Sequence, residues 1–112
     1  MDKLPTKLIR HSNGWTLELS GNIDANTAHL MWIAESGDPL LKEMIHAQVK
    51  RLVIDLTKVE FIDSHGLRNL LNAHRDFSGQ NIDIVLRNPN SHLKRLLRIM
   101  QFDRVFIIEP KD

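Results

Sequence analysis

The chain of 112 residues carries 15 lysines and arginines against 14 aspartates and glutamates, a formal charge of +1, and this balance argues against direct nucleic-acid binding driven by phosphate neutralisation. Its 42% apolar content supplies one core rather than two, so residues 1–112 are expected to form one domain. The absence of cysteine excludes disulfides, catalytic thiols and thiolate metal sites, and no apolar run has the length of a signal peptide or a bilayer span, so a soluble cytoplasmic protein without membrane insertion is expected.

Residues 7–11 and 15–20 are two short runs around Ser12-Asn13-Gly14. Asn-Gly readily adopts the positive φ values of a tight turn, which predicts an opening β-hairpin. Beyond Gly21-Asn22-Ile23-Asp24, the spacing of Ala28, Met31 and Trp32 predicts a helix with Asp24 or Asn26 at its cap. Ser36-Gly37-Asp38-Pro39 ends that pattern, with Asp38 placed to cap the next helix and Pro39 to fill its first turn. Leu40, Leu41, Met44, Ile45 and Val49 mark the apolar stripe of that second helix.

Leu52-Val53-Ile54-Asp55-Leu56 reads as a central strand covered on both faces. Leu67, Leu70, Leu71 and His74 then recur at helical intervals, and Ile82-Asp83-Ile84-Val85-Leu86 supplies another buried strand. Asn88-Pro89-Asn90-Ser91 offers a cap for a last helix bearing Leu93, Leu96, Leu97 and Met100, and residues 105–108 close as a strand. The fold expected is a single α/β domain, ββ(αα)βαβαβ, with a mainly parallel mixed sheet, an opening β-hairpin and flanking helices. Sites in such sheets gather beyond strand C-termini, which directs attention to the segments after Ser20, Leu56 and Leu86.

The segment after Leu56 runs through Phe61-Ile62-Asp63-Ser64-His65-Gly66-Leu67, and Ser64 falls where the next helix begins. As an N-cap, its hydroxyl would accept a first-turn N–H bond worth about 1 kcal/mol over alanine. As a phosphoacceptor, it would gain roughly −1.5 to −2 charges beside a helix terminus carrying about +0.5, and the surface offered to a partner would change sign.

Ile54-Asp55-Leu56, Val59, Phe61-Ile62-Asp63-Ser64 and Gly66-Leu67 together resemble the signature of the anti-sigma-factor antagonists and the wider STAS domain family. Gly21-Asn22-Ile23-Asp24 with Thr27-Ala28 is similar to the family's Gly-x-x-Asp segment, and Asn90-Ser91-His92-Leu93 with Phe102-Asp103-Arg104-Val105-Phe106 to its late helix and final strand. The resemblance implies that Ser64 is the phosphorylated serine and that Asp24 and Asp63 shape the switch site. It also implies a non-enzymatic domain with no cofactor or metal, which binds an anti-sigma factor serine kinase, is released by phosphorylation and is reset by a phosphatase.

His65 stands where the family has a small Ser or Thr, next to the surface a kinase approaches, and its expected effect is on surface shape and partner choice. Gly66 completes the motif. Arg68 replaces a commonly small residue and lies four positions after Ser64, within reach of a phosphate across one helical turn. Within the same resemblance, a constitutive scaffold or a membrane-transporter accessory subunit is the alternative to a phosphorylation switch.

Three further readings compete. Asp63-Ser64-His65 has the residue types of a hydrolase triad, but consecutive residues do not converge in triad geometry by default. Asp55 in the central strand suggests a receiver-like phosphotransfer domain, which would need an acidic pair where the first run offers His11-Ser12-Asn13-Gly14. His92, Lys94, Arg95 and Arg98 suggest a nucleic-acid face on the last helix, yet no aromatic residues interleave and the leucine spacing explains a solvated face.

Overall fold

The computed structural model describes residues 6–34 and 36–110. Strands β1 (Thr6–His11) and β2 (Gly14–Ile23) form the predicted antiparallel hairpin. Gly14 is already paired with His11, so Ser12 and Asn13 make the turn. Asn13 is not among the residues with positive φ, and the Asn-Gly pair is therefore not the turn centre that the sequence suggested. Along β2, Trp15, Leu17 and Leu19 are buried while Thr16, Glu18 and Ser20 are only partly so, the period-two pattern of a strand with one covered face.

Ala28–Trp32 forms a 3-10 helix rather than the predicted α-helix. Helix α1 (Leu40–Ala47) follows, with Pro39 at its N-cap and no side-chain cap. Asp38 instead accepts the Ala34 N–H through its backbone carbonyl at 2.9 Å, so the expected Asp38 cap and first-turn Pro39 are each displaced by one position. The register of this segment is set by the pairing of Ile33 with Pro39.

Strand β3 is Arg51–Ile62, 12 residues instead of the five expected from its apolar run. Its second half, which read as a loop, pairs with β2 from Ser20–Lys58 to Ile23–Ile62. Two register shifts, between Glu18 and Ser20 and between Gly21 and Asn22, each give β3 one residue more than β2. These are β-bulges, and they put the buried residues at Leu56, Val59 and Ile62, a spacing of three that does not read as a strand.

Helix α2 (Ser64–Ser78), β4 (Asp83–Arg87), α3 (Ser91–Ile99), a 3-10 turn at Phe102–Arg104 and β5 (Ile107–Glu109) complete the chain. The last strand begins later than residue 105 because this turn occupies the preceding segment. Asn90 caps α3 as its position suggested, accepting the Leu93 N–H at 2.8 Å.

The five strands lie in the order β1-β2-β3-β4-β5, antiparallel at the first pair and parallel at the other three. The expected mainly parallel mixed sheet is present, with β3 at its centre. Its strand order never reverses, so right-handed crossovers place α1, α2 and α3 on the same side. The buried residues of all three helices accordingly share one core cluster with Leu52, Ile54, Leu56, Ile84 and Leu86. Val53 and Val85 are buried outside that cluster. The flanking helices thus lie on one side of the sheet and the domain has two layers, with overall extents of 35 × 35 × 21 Å; β3 is buried on both faces, as its apolar run suggested.

Candidate functional site

Ile23 and Ile62, the last residues of β2 and β3, are register partners and almost fully buried. The chain leaves the sheet at both points through an aspartate, Asp24 and Asp63. The Asp63 N–H donates to the Ile23 carbonyl at 3.0 Å, which locks the two exits together. The two acidic positions singled out in separate segments are thus neighbours at one edge of the sheet.

Asp63, not Ser64, is the N-cap of α2. Its Oδ1 accepts the N–H of His65 at 2.9 Å and of Gly66 at 3.0 Å. These bonds favour the ionised carboxylate, and its pKa lies below the usual 3.8, with the Gly66 N–H the largest cause. Asp63 Oδ2 also stands 3.7 Å from Nδ1 of His65, whose side chain is 61% exposed.

Ser64, the first residue of α2, is exposed. Asp63 meets the capping demand of the first turn, so the N-cap role open to Ser64 in the sequence is corrected. Its hydroxyl has no hydrogen-bond partner among the described residues. A serine at this position therefore presents its oxygen to solvent at the positive end of a 15-residue helix.

Gly66 explains why the helix can start so close to the sheet. A Cβ there would lie 2.6 Å from Cγ2 of Ile62, and 3.0 Å from both Cγ2 and the carbonyl of Ile23. No side chain larger than hydrogen fits without moving one of the two strand ends. Arg68 lies one turn further along α2, exposed, with no ion pair among the described residues.

Asp24 builds the first exit. Its Oδ1 accepts the Asn26 N–H at 2.9 Å, its carbonyl accepts Thr27 N–H at 3.1 Å and Ala28 N–H at 2.9 Å, and its own N–H donates to Thr27 Oγ1 at 3.0 Å. Thr27 is buried, and its hydroxyl in turn donates to the Asn22 carbonyl at 3.0 Å. In the sequence Thr27 stands out only as part of a motif, although it holds the turn that presents Asp24. Its signal was the Asp-x-x-Thr spacing, which matches a side-chain-supported turn.

The remaining parts of this edge come from more distant segments. Asn90 Nδ2 approaches the carbonyls of Val59 and Glu60 at 3.3 Å each, drawing the start of α3 to the bulged end of β3. Phe61, register partner of Asn22, is 44% exposed beside the Asp63-Ser64 turn. Trp32 Nε1 donates to Asn69 Oδ1 on α2 at 2.7 Å and so joins the 3-10 helix to the element that carries Ser64.

The competing chemistries find little geometric support. Ser64 makes no hydrogen bond to His65, so the nucleophile–base contact of a triad is missing although the His65–Asp63 contact exists. Asp55 lies within β3 rather than at its end, and its Oδ1 accepts the N–H of Thr57 at 2.9 Å. Lys94 of α3 donates to the Pro110 carbonyl at 3.4 Å. Among the described residues, no helix is long and apolar enough to cross a membrane.

The family model for the Mlab STAS domain matches residues 7–109. The chain belongs to the STAS domain family. This STAS domain is similar to an anti-sigma factor antagonist from Mycobacterium paratuberculosis, with 26% identity and a TM-score of 0.70 over 96% of this chain and 86% of that one. It shares its fold with the anti-sigma factor antagonist SpoIIAA in its unphosphorylated form, at 15% identity and TM-score 0.67 over 96% of this chain and 90% of that one. The Bacillus cell fate determinant SpoIIAA in its phosphorylated form matches at 14% identity and TM-score 0.66, over 96% of this chain and 93% of that one.

Proposed function

We propose that this STAS domain is an anti-sigma-factor antagonist-like switch whose phosphoacceptor is Ser64. The observation that carries this is the division of labour at the start of α2: Asp63 caps the helix, and the Ser64 hydroxyl is exposed without a structural hydrogen bond. Resemblance to the anti-sigma factor antagonists supports the same assignment.

In this mechanism the unphosphorylated domain binds an anti-sigma serine kinase through the edge formed by Asp24, Asp63, Ser64, His65 and Gly66. The kinase transfers the γ-phosphoryl group of ATP to Ser64 Oγ; the hydroxyl proton leaves to the kinase's base and ADP is the leaving group. The helix terminus favours the new charge, while the partner meets a dianion where it had met a neutral hydroxyl. A phosphatase hydrolyses the ester and restores binding. The domain supplies a substrate hydroxyl and a docking surface, no catalytic group, cofactor or metal, and acts in the cytoplasm.

Incubation with anti-sigma kinases and ATP, followed by mapping of the modified residue, tests this assignment. Phosphate on Ser64 that is absent from Ser64→Ala supports it; phosphate on another residue, or none with any such kinase, overturns it.

His65 favours one second reading. Its exposed ring adjoins Ser64 on the side a kinase must approach, which suits a constitutive scaffold or a transporter accessory subunit. That reading requires Ser64→Ala and Ser64→Asp to bind the partner equally.

A further inference from the structure

The exposed apolar side chains of this domain are unevenly placed. Of the eight large ones among the described residues, Ile99, Met100, Val105 and Ile107 fall within nine consecutive positions, and Ile99 (67%) and Met100 (51%) are the most exposed. Consecutive turns hold these positions together: the N–H of Met100 donates to the Leu96 carbonyl at 3.0 Å, that of Gln101 to Arg98 at 2.9 Å, that of Arg104 to Gln101 at 3.2 Å and that of Val105 to Phe102 at 3.0 Å. They form one corner, from the end of α3 through the 3-10 turn to the start of β5. Phe102 and Phe106 of the same segment are buried, so the apolar surface of the corner is aliphatic and thioether only.

The charge of this corner is one-sided. Helix α3 carries Lys94, Arg95 and Arg98 and no carboxylate, and Arg104 follows in the 3-10 turn, although the whole chain has a formal charge of only +1. Arg95, one helical turn before Ile99, and Arg104 are both exposed and make no ion pair among the described residues. Lys94 and Arg98 are already engaged, the first with the Pro110 carbonyl. The carboxylates of residues 91–110 are Asp103, which is exposed, and Glu109, which stands 3.7 Å from Arg87. A second copy seated on the corner about a twofold axis would bring Arg95 and Arg104 toward their own kind, and a nucleic acid would find no exposed ring to stack on.

We infer that this corner docks the domain on an anionic phospholipid surface, with Ile99 and Met100 entering the boundary between headgroups and acyl chains and Arg95 and Arg104 meeting lipid phosphates. Apolar side chains with a basic rim are the chemistry of a site that lies on a bilayer without spanning it. The hydrogen bonds within the corner already occupy the carbonyls of Leu96, Arg98, Gln101 and Phe102, which lowers the cost of bringing that backbone into the interface. Helix α3 starts where Asn90 meets the bulged end of β3 and runs back for nine residues, about 13 Å. Docking through its far end therefore leaves the Ser64 edge facing away from the bilayer, and the inference does not depend on phosphorylation there.

Co-sedimentation of the full chain with vesicles tests the site. Binding is expected to phosphatidylcholine vesicles containing about one-third phosphatidylglycerol and not to phosphatidylcholine alone, and it should fall as salt rises from about 50 mM to about 500 mM. Ile99→Ser, which keeps every charge, should weaken it about tenfold through the lost apolar contact. Arg95→Gln should weaken it about fivefold, the effect of one cation at the surface. Leu71→Ser removes an exposed apolar side chain of α2 and should change nothing; circular dichroism checks the fold of each variant. No binding to the anionic vesicles, equal binding to neutral ones, parent-like binding by Ile99→Ser, or an equal loss in Leu71→Ser overturns the inference. Retention on immobilised polyglutamate without vesicle binding overturns it in favour of an acidic protein partner, and self-association abolished by Ile99→Ser without vesicle binding overturns it in favour of a second copy.

Discussion

The N–H of Asp63 donates to the carbonyl of Ile23 at 3.0 Å, and this bond joins the two motif segments of the candidate site across the ends of β2 and β3. Asp63 thereby works in two directions: its backbone holds the neighbouring strand end, and its side chain starts α2. Displacing it affects both aspartate exits at once.

Loss of the Asp63 cap should destabilise the fold, whereas loss of the Ser64 hydroxyl should not. Asp63→Ala is expected to cost about 1 kcal/mol, the usual value of an N-cap. Ser64→Ala is expected to stay within about 0.5 kcal/mol of the parent, as for surface substitutions away from structural features. Urea denaturation of both variants measures the difference; equal losses would show that Ser64 contributes to the cap.

Acid unfolding should carry the signature of Asp63. Its pKa is lowered in the folded state, chiefly by the Gly66 N–H. The stabilisation is therefore fully present above the unfolded carboxylate's value of 3.8 and is lost as pH falls through the lower folded value. Asp63→Asn, whose side-chain oxygen still accepts the cap bonds, should flatten that part of the stability profile. A profile unchanged below pH 3.8 would remove Asp63 as its source.

Gly66→Ala should destabilise the domain by about 1–3 kcal/mol, because the added methyl meets two packed strand ends. Gly79 is the control. Its φ is −61° and a Cβ there meets only ordinary contacts at 3.5 Å, so Gly79→Ala should stabilise by about 0.4–1 kcal/mol. Thermal melts of the pair separate a steric requirement at Gly66 from a general preference for glycine.

The sequence made the element order readable because the apolar spacing of β2, α2 and β4 follows the simple strand and helix periods. It also pointed to both aspartate exits and to Ser64. The second half of β3 was hidden by its two bulges, which shift Leu56, Val59 and Ile62 out of alternation. Ala28–Trp32 is too short for spacing to distinguish a 3-10 from an α-helix. Asp63 and Ser64 are both good capping residues in adjacent positions, and only the start of α2 shows which one caps. The need for glycine at residue 66 depends on the packing of Ile62 and of Ile23, the latter far away in the chain, and is a tertiary fact.

Arg68 should moderate the switch. Arg68 is exposed and lies one helical turn after Ser64 on α2, where a charge-assisted contact would draw a phosphate inward and weaken its effect on a partner. Arg68→Ala is therefore expected to enlarge the difference in partner affinity between phosphorylated and unphosphorylated protein, as measured by titration calorimetry. An unchanged difference would assign Arg68 to solvation of the helix face.

The central claim is that a charge at Ser64 decides binding, and the direct measurement is the affinity of Ser64→Ala and Ser64→Asp for an anti-sigma kinase that binds the parent. Ser64→Ala should retain the parent affinity, and Ser64→Asp should bind at least about tenfold more weakly, a loss of about 1.4 kcal/mol. Equal affinity of the two variants would contradict the switch and leave a constitutive scaffold in its place.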